Sequence, residues 1–138
     1  MTDADAALSA IESSLFAKLS TRKVQRSLID PATAQEEELL AGVVCMVSVG
    51  GGGFVSYRGR EGELGLIRLS LVGFLKVAED TAQSAIETAE LNLLNELLGW
   101  VQDPNGPVGM TVSPKAFRQS QQLEHPYGWL VLDVEVEF

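Results

Sequence analysis

The sequence predicts an α+β fold: a two-layer sandwich in which a mixed, mostly antiparallel sheet is covered on one face by two longer helices. Three observations carry this. Residues 5–19 and 81–101 repeat apolar side chains at the helical period, and residues 64–77 and 127–138 alternate at period two. The elements follow in the order α, β, α, β, β, α, β, β. The length of 138 residues suits one domain, 1–138, able to bury roughly 68% of the surface of the unfolded chain.

The first helix is expected over 5–19, with Leu8, Ile11, Leu15, Phe16 and Leu19 on one stripe and Thr2, Asp3 and Asp5 at its start. A short strand is expected over 24–29, broken by Asp30-Pro31. Thr33-Ala34-Gln35-Glu36 has capping-box spacing and predicts a short helix to about Ala41. Residues 43–49 are β-rich, lie between Gly42 and Gly50, and read as a strand buried on both faces. In 64–77, Ile67, Leu69, Leu71, Gly73, Leu75 and Val77 take one face, and Arg68, Ser70, Val72, Phe74 and Lys76 the other. Asp80-Thr81-Ala82-Gln83 again has capping-box spacing. It opens a helix to about Val101, stopped by Asp103-Pro104-Asn105-Gly106-Pro107. A short strand at 108–113, an irregular polar connection at 114–126 and a half-buried strand at 127–138 complete the chain.

Charge and rare residues exclude several functions. Ten Lys+Arg against 19 Asp+Glu give a net charge of −9, against a duplex-binding role that needs clustered cations. The acidity is concentrated: residues 1–76 sum to −1 and residues 77–138 to −8. A lone cysteine, Cys45, excludes an internal disulfide and any multi-thiolate metal site, and reads as a buried small hydrophobe. His125, the lone histidine, reads as a loop residue rather than a general base. No apolar run is long enough to span a membrane, and no signal peptide is recognised, so the cytoplasm is the expected compartment. The tetraglycine Gly50–Gly53 lacks the Gly-Lys-Ser/Thr tail of a P-loop, and no nucleophile elbow is present. No cofactor or metal is expected.

Two features ask for more than a packing role. The first is the stretch Gly50, Gly51, Gly52, Gly53, Phe54 through Tyr57, Arg58, Arg60, Glu61 and Glu63, some 14 residues where two would join neighbouring strands. It reads as an arm reaching a neighbouring subunit; a bare hairpin tip, or phosphate binding with Arg58 and Arg60, are the other readings. The second is the last strand, whose outward face carries Asp133, Glu135 and Glu137, a row of like charge about 6.8 Å apart.

The pattern of elements resembles the tail terminator, or tail completion, proteins of long-tailed bacteriophages, particularly those of Mu-like prophages. It rests on the amphipathic helix 6–19; on Val47-Ser48-Val49-Gly50 followed by Phe54-Val55-Ser56-Tyr57-Arg58-Gly59; on the long strand 69–77; on the helix 81–101; and on the final strand opened by Tyr127-Gly128-Trp129. The helix near 33–41 and the tetraglycine depart from that pattern. The resemblance implies a non-enzymatic virion protein, assembled in the host cytoplasm. Six copies would form a ring capping the tail tube and meeting the head-completion or neck proteins, and DNA would pass through without being specifically bound. On this reading the arm at 50–63 docks the tube, and Asp133, Glu135 and Glu137 line the lumen or the outer rim. Another head–tail connector or tube subunit, and a small-ligand-binding α+β enzyme, are the alternatives.

Overall fold

The computed structural model describes residues 4–30, 33–56, 63–103 and 110–138. The elements are α1 (Ala4–Lys18), β1 (Lys23–Gln25), α2 (Glu36–Ala41), β2 (Val43–Ser56), β3 (Glu63–Lys76), α3 (Ser84–Val101), β4 (Thr111–Gln119) and β5 (Tyr127–Glu137). One five-stranded sheet has the order β1-β2-β3-β5-β4. β1 runs parallel to β2, and every other neighbouring pair is antiparallel. The fold is therefore the expected α+β arrangement with a mixed, mostly antiparallel sheet.

The inward face follows from period two. Leu69, Leu71 and Leu75 of β3 and Leu130, Leu132, Val134 and Val136 of β5 are buried, together with Val44 and Met46 of β2. They form one cluster with Ile11 and Leu15 of α1, Leu19 just beyond it, and Ile86, Leu93, Leu97 and Trp100 of α3. Both long helices thus cover the same face. Burying each such side chain contributes roughly 1.5–3 kcal/mol relative to leaving it in water. Trp100 Nε1 donates to Ser14 Oγ at 2.9 Å, which joins the two helices while satisfying the buried indole. Gly73 lets α3 lie close: a Cβ there would come within 2.2 Å of Leu93 Cδ2.

α2 lies on the opposite face. Glu36 pairs with Lys76, which belongs to the Val72–Phe74 row of β3, and Leu39 is buried outside the main cluster. Arg22 anchors the region by donating from Nη1 to Ala41 O at 2.6 Å and from Nε to Glu96 at 3.1 Å. Gly42 turns the chain from α2 into β2 at φ +92°, a conformation that side-chain-bearing residues avoid.

Several boundaries differ from expectation. Thr33 does not cap α2: its hydroxyl donates back to Asp30 O at 3.2 Å, and the helix starts at Glu36. Thr81 likewise donates to Ala78 O at 2.6 Å, and α3 starts at Ser84 behind a helical Gln83. In both places the expected cap residue, Thr33 or Asp80, lies in a turn ahead of the helix, which opens several residues later with no side-chain cap. β1 is three residues long, because Gln25 Nε2 donates to Ser27 O at 2.6 Å and the chain turns there. β2 does not end at the glycines but runs through them to Ser56. The first half of the connection at 114–126 is strand, with β4 reaching Gln119 through a bulge between Pro114 and Ala116, and the rest is turn.

Candidate functional site

The described residues of the arm expected at 50–63 are paired antiparallel strand. Gly50, Gly51, Gly52, Gly53 and Phe54 belong to β2, and Glu63 opens β3 opposite Ser56. Tyr57, Arg58, Arg60 and Glu61 lie outside the described residues. The ladder shifts register between Ser48, opposite Leu69, and Gly52, opposite Ile67. Three β2 residues, 49–51, therefore face the single Arg68, and glycine accommodates the extra backbone.

The two edges of the sheet differ in how they are protected. β4 carries Pro114, Lys115 and a bulge, three features that discourage an incoming strand. At the other edge β1 covers β2 only from Val43 to Cys45. Among the described residues no strand pairs with the outer side of β2 over 46–56, and that stretch has no proline and no charged residue. The uncharged run containing it extends from Leu39 to Tyr57.

Asp133 and Glu135 project from the face of β5 opposite the helices, as period two requires, but they do not form an isolated acidic row. The strands on either side interleave cations. Arg68 of β3 lies opposite Glu135 in register and reaches it at 3.6 Å, and Lys115 of β4 reaches it from the other side at 3.5 Å. Asp133 accepts a hydrogen bond from Ser70 Oγ at 2.7 Å and pairs with Arg118 at 4.0 Å. The expected row of like charge is thus corrected at these two positions to a mixed-charge ladder. Its cause is cross-strand pairing between residues far apart in sequence. Glu137, at the end of β5, is half-buried opposite Thr111 and Leu66. Arg68, Lys115 and Arg118 border a groove of about 270 Å³ floored by Ser70 and Asp133, with half-exposed Val49 at its rim.

All eight described lysines and arginines are ion-paired. His125 sits in the turn before β5, with Nε2 at 3.2 Å from Thr81 Oγ1. Burial raises the pKa of Cys45 despite hydrogen bonding from the neighbouring backbone and Gln25. Among the described residues no group of three His, Cys, Asp or Glu could hold a metal, and no helix is long and apolar enough to cross a membrane.

Glu90 was not singled out in the sequence, although it lies on the buried stripe of α3 four residues after Ile86 and three before Leu93. It is fully buried and accepts from Ser120 Oγ at 2.5 Å, Trp129 N–H at 3.0 Å and Gln119 Nε2 at 3.4 Å. This carboxylate ties the β4–β5 turn to α3. Gly128 leaves it room: a Cβ there would stand 2.6 Å from Glu90 Oε2 and 2.3 Å from Ile86 Cγ1.

The chain matches no protein-family model and no curated protein.

Proposed function

We propose that this chain is the repeating subunit of a ring that ends a bacteriophage tail tube and meets the neck or head-completion proteins. The observation that carries the reading is the outer side of β2 over 46–56, uncharged and, among the described residues, paired with no strand. A long edge without charge, proline or a covering strand is a template for another backbone, and a soluble monomer ordinarily blocks it. Its glycines allow that backbone to approach closely. An assembly subunit is the kind of protein that keeps such an edge, because a partner covers it in use.

Two further observations support the reading. The order of elements and the two helices on one sheet face suit the tail-terminator pattern that the sequence resembles. The chain's net charge of −9 disfavours holding DNA, as suits a ring through which it slides.

Complementation tests the function. A phage lacking this chain is expected to make tails of irregular length, and the wild-type chain to restore uniform ones. Uniform, infectious tails in its absence would overturn the proposal.

A further inference from the structure

We infer that copies of this chain join head to tail, the groove bordered by Arg68, Lys115 and Arg118 on one copy receiving the acidic end of the next. The inference deepens the ring reading and rests on it. Arg68, Lys115 and Arg118 are the most exposed members of their pairs, at 64%, 53% and 66%, against 27% for Glu135 and 36% for Asp133. The contacts, at 3.5 to 4.0 Å, leave most of the guanidinium and ammonium donors facing solvent. β4 itself contains two cations and no acid. On a chain of net charge −9, this is the surface a second copy approaches without repulsion.

The complementary surface is at the other end of the sheet. Glu79, Asp80, Glu87 and Glu124 are all exposed, and none has an ion pair among the described residues. Contacts gather them. Val77 N–H donates to Pro126 O at 2.9 Å, Thr81 meets His125, and Gln122 Nε2 donates to Glu87 at 2.5 Å. Lys76, at the same end, is taken by Glu36 on the far face. Six to eight residues of β5 separate this end from Asp133 and Glu135, roughly 20 Å or more at about 3.4 Å per residue. The two surfaces are different and well separated, so their contact is heterologous. It propagates, and it makes a ring when the rotation closes.

The test is a charge swap on the full chain, read by sedimentation equilibrium at 25 mM and 500 mM NaCl. The wild type is expected to self-associate at low salt and to weaken at least tenfold at high salt. K115E/R118E, and separately E79K/D80K/E124K, are each expected to lose association at least tenfold. The second set alters only exposed side chains, of which Glu79 acts on Lys76 through Coulomb attraction alone, so its fold is expected to be retained. The chain carrying both sets is expected to regain association, and so is an equimolar mixture of the two singly swapped chains. A wild type that stays monomeric at all concentrations, or association that ignores the swaps, would overturn the inference. Each variant is also mixed with purified tails. If K115E/R118E caps them normally, this contact is wrong while the ring reading stands. If the swaps behave as expected but no variant, nor the wild type, binds tails, the contact stands and the terminator reading fails.

Discussion

At Glu90 an acidic side chain is fully buried and still fully used, with a hydroxyl, a backbone N–H and an amide converging on its two oxygens. Removing the acceptor while keeping the volume leaves Ser120 and Trp129 N–H buried without partners. Glu90→Leu is therefore expected to lower stability by about 2–4 kcal/mol in urea titration, and Glu90→Gln, which keeps one acceptor oxygen, by less. Gly128→Ala forces a methyl group against Ile86 and the carboxylate, with an expected cost of about 1–3 kcal/mol in the same assay. Stability should also fall at alkaline pH. The pKa of Lys76 is raised, first by its hydrogen bond to Glu36, and that of the Cys45 thiol is raised by burial. A group held above its unfolded pKa contributes stability that is complete below the unfolded value and is lost as pH rises through the folded one. The urea midpoint is thus expected to decline from about pH 8.5 as the thiol begins to ionise in the unfolded chain, and again near pH 10 and above as Lys76 does. Cys45→Ala should flatten the earlier decline; an unchanged pH profile would contradict the assignment.

Among the elements, β2 repays the closest attention. Four steps along it, from Ser48 to Gly52, match two steps along β3, from Leu69 to Ile67. Deleting Gly50 and Gly51 removes the two surplus residues and keeps the alternation of faces. The shortened chain is expected to fold with unchanged or slightly higher stability by circular dichroism and urea titration, and to lose tail capping because the reshaped edge no longer fits its partner. Gross unfolding on this deletion would mean that the bulge is needed for the fold itself. The same strand shows where sequence reading stops. The inward rows of β3 and β5 were legible because burial imposes period two on Leu69, Leu71, Leu75, Leu130, Leu132 and Val134. The continuation of β2 through four glycines was not, since glycine has little intrinsic strand preference and only the long-range ladder with β3 holds it extended. β4 was hidden for a related reason: as an edge strand wet on most positions, it shows no apolar alternation beyond Val112. Both capping boxes misled, because Thr33 and Asp80 lie in turns, closed by Thr33 on Asp30 O and Thr81 on Ala78 O, ahead of helices that open at Glu36 and Ser84. The acidic spacing of Asp133 and Glu135 was visible, whereas their neutralisation by Arg68, Lys115 and Arg118 depends on strand order.

At the scale of the molecule, a strongly acidic chain has gathered cations on one sheet face and, among the described residues, left one strand edge unpaired, while its two long helices cover the opposite face of the sheet. On the proposed reading, this edge is the surface that neighbouring subunits cover. Electron microscopy of the purified chain mixed with tail tubes tests this most directly. The expected image is an annulus at one end of each tube, with six-fold averaging recovering discrete subunits and tubes that no longer extend when free tube protein is added. Bare tube ends that keep growing in the presence of saturating folded chain would contradict it.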